Sequence, residues 1–171
     1  MAIDPKTQDA LNKQINHEMT AAYNYLAMVV YFERINLTGF SAWMRKQHEE
    51  ELAHAAKLFQ YLLDRGGQVE LEAIPKPPAG FDSVAQVFEA ALKMEQQNTA
   101  SINAVYALAK EMNDYATLSH MQWFIDEQVE EEKIMEEILG LVRFAGDDKS
   151  ALLTLNNQMA ARRDEGGAEG V

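Results

Sequence analysis

The sequence predicts an all-α fold: a four-helix bundle with a long crossover between its second and third helices and a short fifth helix. Apolar residues recur at alternating steps of three and four through four long segments. A proline-rich, non-periodic stretch lies between the second and third of them. At 171 residues the chain can bury one sizeable core, so we expect a single domain over residues 1–171.

The first helix is expected over residues 5–36. Asp4 followed by Pro5 is typical of an N-cap with proline in the first helical turn. The apolar stripe of this helix is interrupted at Glu18 and Tyr25, which stand seven residues apart. A carboxylate and a phenol are therefore predicted to face the core.

The second helix, expected over residues 40–65 after a break at 37–39, carries Glu51 and His54 three residues apart on one face. Apolar positions fall in register with that pair: Phe40, Met44, Leu58 and Tyr61. A solvated charge run is the ordinary interpretation of neighbouring glutamates, and it suits Glu49 better than Glu51. Burying an unpaired carboxylate costs several kcal/mol, and a bound metal ion removes that cost.

Residues 66–82 could be a domain linker, but neither half of the chain would then have a complete core. The second helix should be about 39 Å long, and seventeen extended residues can span about 55 Å. We therefore interpret this stretch as a crossover along the bundle, which places the third helix parallel to the second.

The remaining elements are expected over residues 83–113, 115–144 and 150–163, with a polar, mobile tail from about residue 164. Ser83 with Gln86 forms a capping box at the start of the third helix. Glu95 interrupts the apolar stripe of the third helix, and Gln128 and Glu131 interrupt that of the fourth.

Composition excludes several classes of function. The net charge of −12 argues against nucleic acid or an anionic membrane surface as a partner. The absence of cysteine excludes disulfides, thiolate metal sites and a cysteine nucleophile. No signal peptide or membrane span is evident, so we expect a cytoplasmic protein.

Each of the four long helices thus carries an inward carboxylate: Glu18, Glu51, Glu95 and Glu131. One such group could be a satisfied polar residue in the core. Four would repel one another strongly unless cations lay between them. Four carboxylates with one histidine are mostly hard ligands, which suit a pair of iron ions bridged by a carboxylate.

The sequence resembles the prokaryotic non-haem ferritins over nearly its whole length. The matching motifs are Asn16-His17-Glu18, Tyr25, Glu50-Glu51-Leu52-Ala53-His54, Met94-Glu95-Gln96 and residues 122–132. The resemblance implies a ferroxidase that oxidises Fe(II) with O2 or peroxide at a di-iron centre. It also implies a homo-oligomeric shell of twenty-four subunits that stores ferric oxyhydroxide mineral.

The resemblance assigns roles by position. The ligands of the first iron would be Glu18, Glu51 and His54. Glu51 would bridge to a second iron completed by Glu95, with Gln128 and Glu131 close by. Tyr25 matches the phenol beside the first iron, and Trp123 matches an aromatic residue that shares electron donation. An outer third iron site would use Glu50, Glu127 and Glu130 together with Glu131.

Departures from related families are informative. Haem-containing bacterioferritins have a second Glu-x-x-His where this chain has Gln128 and Glu131, and a methionine where it has Leu52. We therefore expect no haem. Leu118 and Met121 stand where animal ferritins line the threefold channel with carboxylates. The sequence therefore does not define the route by which iron would enter the shell.

Other classes fit the sequence less well. A di-iron oxidase or peroxidase, acting in oxidant defence or on another substrate, would use the same ligands and is the main alternative. A rubrerythrin-like peroxidase needs cysteines, and a DNA-binding mini-ferritin would lack the fifth helix. A plain helical interaction protein would not bury four glutamates.

Overall fold

The structure, a computed structural model, describes residues 3–162 and contains five helices. They are α1 (Pro5–Arg34), α2 (Thr38–Asp64), α3 (Val84–Glu111), α4 (Tyr115–Ala145) and α5 (Lys149–Ala161). Within these residues there is no strand. The last position expected for the fifth helix, residue 163, and the tail expected from about residue 164 lie outside the described part of the chain.

The break between α1 and α2 lies at residues 35–37 and not at 37–39, and the reason is Asn36. Its φ of 59° is left-handed, a conformation that asparagine tolerates better than other side chains. The turn closes when the Leu37 N–H donates to the Phe32 carbonyl at 3.0 Å. Gly39, which suggested a turn, lies inside the first turn of α2.

α2 receives its N-terminal cap from another helix. Its own N-cap residue, Leu37, makes no side-chain cap hydrogen bond. Asn156 of α5 supplies the acceptor, because its Oδ1 receives the N–H groups of Gly39 at 2.9 Å and Phe40 at 3.0 Å. A Cβ on Gly39 would overlap the Asn156 carbonyl group, with its carbon only 2.7 Å away. The close approach therefore requires glycine and fixes α5 to the start of α2.

The crossover between α2 and α3 lies along α1 and is held by what we term the amide ladder. Three α1 amide side chains, four residues apart, bond the crossover backbone at 2.8–2.9 Å: Gln8 to Gln68, Asn12 to Gln68 and Glu70, and Asn16 to Glu70 and Glu72. Four helical residues rise about 6 Å and two extended residues about 6.6 Å, so the two spacings match. Further along, the Phe81 ring contacts the Tyr31 ring with centroids 5.4 Å apart. α3 therefore starts where α1 ends, and it is parallel to α2.

The apolar core is divided in two by a polar layer. One cluster contains the end of α1, the start of α2 and the start of α3, including Phe32, Phe40 and Phe88. The other contains the start of α1 and the end of α2, including Leu11 and Leu62. The inward carboxylates lie between them, half-way along the bundle.

No helix of the described chain is both long and apolar enough to cross a membrane. The cytoplasmic location expected from the sequence stays a prediction.

Candidate metal centre

The predicted inward polar residues are all buried in this middle layer. They are Glu18, Glu51, His54, Glu95, Gln128 and Glu131. Ligand atoms of Glu18, Glu51 and His54 lie within 4.8 Å of one another, close enough to share one metal ion. α1 and α2 supply this group, because Glu18 interrupts one stripe and the Glu51–His54 pair interrupts the other.

Glu51 has the electrostatic environment of a carboxylate that needs a cation. Burial raises its pKa well above the usual value, and the neighbouring Glu95 and Glu18 raise it further. Its Oε2 atom has no hydrogen-bond partner in the structure, and His54 Nδ1 is 3.7 Å away. A divalent cation beside this oxygen would replace the missing partner and offset the repulsion.

His54 is held as a neutral imidazole. Burial lowers its pKa, although the Glu18 carboxylate acts in the opposite direction. The neutral ring is the form that binds metal ions. Its environment therefore suits a ligand, and the donor set of carboxylates with one imidazole fits iron.

Glu95 is fixed by two hydrogen-bond donors from other helices. Tyr25 O–H donates to its Oε1 in a short hydrogen bond. Gln128 Nε2 donates to Glu95 Oε2 and also to the Glu95 carbonyl, both at 3.2 Å. Burial raises the pKa of Glu95 to about 7, although both donors act to lower it. The pKa of Tyr25 is raised well above its usual value, first by burial and then by Glu95, so the phenol keeps its proton.

Glu18 is held by two buried amides that the sequence pattern alone does not assign to the site. Gln14 Nε2 donates to Glu18 Oε1 at 2.7 Å, and Asn98 Nδ2 donates to Glu18 Oε2 at 3.1 Å. The available signal was spacing, because Gln14 precedes Glu18 by one helical turn and Asn98 follows Glu95 by three residues.

Trp123 lies at the outer edge of the candidate centre, beside His54. The two rings meet edge to face with centroids 5.4 Å apart. The indole is 38% exposed, and Lys57 Nζ lies over it at 3.8 Å from the ring centroid. Trp123 therefore lies between the buried His54 and the surface of the bundle.

The residues predicted to form a third site become more exposed with distance from the core. Glu131 is buried, Glu50 and Glu127 are half-buried and Glu130 is exposed. Burial raises the pKa of Glu127, and the nearby Glu130 raises it further. Glu50 accepts a short hydrogen bond from Gln47.

His120 lies outside the centre, and we expect it to make stability depend on pH. Its ring stacks on Tyr61 with centroids 4.0 Å apart, and its Nε2 is buried without a hydrogen-bond partner. Burial, assisted by Lys57, lowers its pKa from 6.5 to about 4. Between about pH 6.5 and pH 4, His120 is therefore protonated in the unfolded chain but stays neutral in the folded one. The contribution to stability is therefore present above pH 6.5 and is lost as the pH falls towards 4.

His120→Phe keeps a stacked ring but cannot be protonated. We expect its melting temperature to equal that of the parent at pH 8 and to exceed it by about 2–4 °C at pH 5. Other titrating groups are common to both proteins, so the difference reports His120. A melting-temperature difference that is the same at both pH values would contradict the prediction.

A four-helix bundle that buries carboxylates from all four helices around one centre defines a class of metal-binding bundle proteins. The chain matches the ferritin-like domain family over residues 8–145. It is 37% identical over 154 residues to the bacterial non-heme ferritin of Staphylococcus aureus (strain USA300), covering 90% of this chain and 93% of that relative. The Staphylococcus saprophyticus relative of the same name is 39% identical over 154 residues, with 90% and 92% covered. The chain therefore belongs to the ferritin-like family.

Solved structures support the same assignment. An open pore ferritin from the hyperthermophilic archaeon Archaeoglobus fulgidus superimposes with a TM-score of 0.93 at 42% identity, covering 95% of this chain and 100% of that one. The predicted fold class, including the long crossover and the short fifth helix, is confirmed.

Proposed function

We propose that this protein is an iron-storage ferritin that oxidises Fe(II) at a di-iron ferroxidase centre inside each subunit. One observation carries the proposal: Glu18, Glu51 and His54 converge in a buried layer where Glu51 Oε2 lacks a partner. Membership of the ferritin-like family supports it.

The donor set suggests how the substrate iron would be held. Glu18, Glu51 and His54 would bind one Fe(II), and Glu51 would bridge to a second that Glu95 completes. Gln128 and Glu131 would lie close to that second iron. O2 would accept one electron from each Fe(II) and two protons from water, so it would be reduced to hydrogen peroxide without releasing superoxide. Water would then hydrolyse the two Fe(III) ions to ferric oxyhydroxide, and the protons released would pass to the solvent.

Storage requires an enclosed space, and we propose a homo-oligomeric shell of twenty-four subunits. The exposed apolar side chains at the end of α4 and on α5 support contacts between copies. Phe144 is 93% exposed. Leu141, on the same helix, and Leu153, on α5, are exposed as well. A second copy of the chain would cover them.

Anaerobic Fe(II) titration followed by mixing with O2 tests the proposal. We expect at least two Fe(II) bound per subunit, rapid oxidation with peroxide as product, and slower mineral growth. Light scattering should show one species far larger than the 19.3 kDa chain. A stable monomer that oxidises Fe(II) without forming mineral would favour the alternative, a di-iron oxidase acting on another substrate.

Tyr25→Phe tests whether the phenol donates an electron. Such a donation would be needed when the oxidant can accept more electrons than two Fe(II) ions supply. Its hydroxyl already contacts Glu95, so the electron and proton have a short path to the centre. We expect unchanged anaerobic iron binding but an early oxidised species that decays several-fold more slowly. Stopped-flow absorbance and freeze-quenched electron paramagnetic resonance measure these. Traces and radical signal equal to the parent would leave Tyr25 only the role of orienting Glu95.

Glu130→Ala tests the outer third site. Glu130 is exposed, whereas Glu131 is buried, so the loss of the Glu130 carboxylate should leave the binding of the two inner irons intact. We expect two inner irons and fast initial oxidation, with about one fewer Fe(II) bound per subunit and an altered ratio of iron oxidised to O2 consumed. Exposed Glu136 on the same helix provides the control variant Glu136→Ala. Equal stoichiometry in Glu130→Ala and the parent would rule out the third site.

A further inference from the structure

Glu18 differs from the other carboxylates of the centre in that both of its oxygens have amide donors. Gln14 lies one turn before it on α1 and Asn98 lies on α3. The two amides are also joined, because Gln14 Nε2 donates to Asn98 Oδ1 at 2.7 Å. We call Gln14 and Asn98 the amide clamp. All three side chains are buried.

The hydrogen bonds of the clamp define its orientation. The Glu18 carboxylate only accepts hydrogen bonds, so the Gln14 NH2 group must point towards it, and Ser101 Oγ then donates to Gln14 Oε1 at 2.5 Å. Asn98 accepts from Gln14 through Oδ1, which leaves its NH2 group for Glu18. Rotating the Asn98 amide by half a turn would place two NH2 groups against each other. Only one arrangement satisfies every member.

The clamp leaves Glu18 ready to bind a cation. Each carboxylate oxygen has two lone pairs, and the clamp uses one on each, so a second lone pair is left for a metal ion. Glu51 is the opposite case, because its Oε2 has no partner to hold it. Glu18 is therefore oriented by two amide donors before iron arrives, whereas Glu51 Oε2 has no donor to orient it.

We infer that Gln14 and Asn98 are positioning residues that orient Glu18 for the first divalent cation. The inference rests on the proposed function in that the centre must bind divalent metal, but it does not require oxidation. Hydrogen-bond partners of metal ligands typically contribute 10–100-fold in metal affinity. The competing explanation is that the amides only satisfy one another inside the core and stabilise the fold.

Anaerobic titration with Co²⁺ distinguishes a positioning role of the two amides from a purely structural one. Co²⁺ is a redox-stable probe whose binding is followed by calorimetry and by visible absorption. Asn98→Leu replaces the amide with an apolar side chain of similar size. We expect the first Co²⁺ to bind about tenfold more weakly. In a Glu18→Gln background, the same Asn98→Leu change should alter the affinity less than about twofold, since its effect passes through Glu18.

Asn12→Leu is the matched control. Asn12 is a buried asparagine on α1 whose side chain bonds the crossover at Gln68 and Glu70. It should lose thermal stability with no change in Co²⁺ affinity. Should Asn98→Leu fail to fold, Gln14→Met removes the other donor and carries the same test.

Unchanged Co²⁺ affinity in the clamp variants would overturn the inference, as would an equal loss of affinity with and without the Glu18 carboxylate. A parent protein that binds Co²⁺ with the expected clamp dependence but fails to oxidise Fe(II) would overturn the proposed function alone. A parent protein that binds no Co²⁺ would overturn both.

Discussion

Glu51→Ala is expected to slow Fe(II) oxidation by at least about a hundredfold while leaving the helices folded. Glu51 is the only ligand proposed to contact both irons, so its loss separates the pair that must deliver two electrons together. The fold should survive because the removed carboxylate is one that Glu95 and Glu18 repel. Stopped-flow absorbance after mixing the Fe(II)-loaded protein with O2 measures the rate.

Glu49→Ala is the matched control, because Glu49 is an exposed glutamate on the same helix. It should oxidise Fe(II) at the parental rate. In the metal-free proteins a second readout follows from the raised pKa of Glu51. The folded parent favours the protonated acid, so this contribution to its stability is present below about pH 4.5 and is lost as the pH rises. Glu51→Ala should therefore gain stability relative to the parent between pH 5 and 8. Parental oxidation kinetics in Glu51→Ala would refute the proposed centre.

Gly39→Ala is expected to lower the stability of the protein by about 2–4 kcal/mol and to detach α5 from the start of α2. The new methyl group would overlap the Asn156 carbonyl, which is backbone and cannot rotate away. As α5 moved, the first N–H groups of α2 would lose their acceptor. Chemical denaturation and light scattering together measure the loss of stability and of oligomer.

Gly140→Ala provides the contrast, because no neighbouring atom lies within 4 Å of a Cβ built there. Gly140 is an exposed glycine inside α4, where alanine should stabilise the helix by about 0.5–1 kcal/mol. If Gly39→Ala behaved like Gly140→Ala, the contact between Gly39 and α5 would not be the constraint described above.

The middle layer could be predicted from the sequence because burial and helical period constrain the same residues. Glu18 and Glu95 interrupt otherwise apolar stripes, and the structure buries both. Tyr25 was placed on that face by its spacing from Glu18, and it contacts Glu95 across the bundle. The apolar period of each helix taken alone is enough to predict that these side chains face the core.

Features that depend on two distant segments could not be predicted in this way. Asn156 reads as one polar residue of a short helix, and only the folded chain shows that it caps α2. Asn98 lies on the third helix, and only the folded chain shows that its amide donates to Glu18 on the first. The sequence around Gly39 predicts a turn, because a glycine required by a close helix contact has the same local pattern as a glycine in a turn.

The amide ladder also has a consequence for the order in which the chain assembles. A short connection after α2 would direct α3 back alongside it, giving the up-down-up-down arrangement of simpler bundles. Gln8, Asn12 and Asn16 line up only once α1 is helical, so the first hairpin acts as a template for the segment that follows it. A slip by one crossover residue would leave backbone groups without these partners. The outer face of α1 thereby selects one topology, and with it the meeting of four carboxylates from four helices.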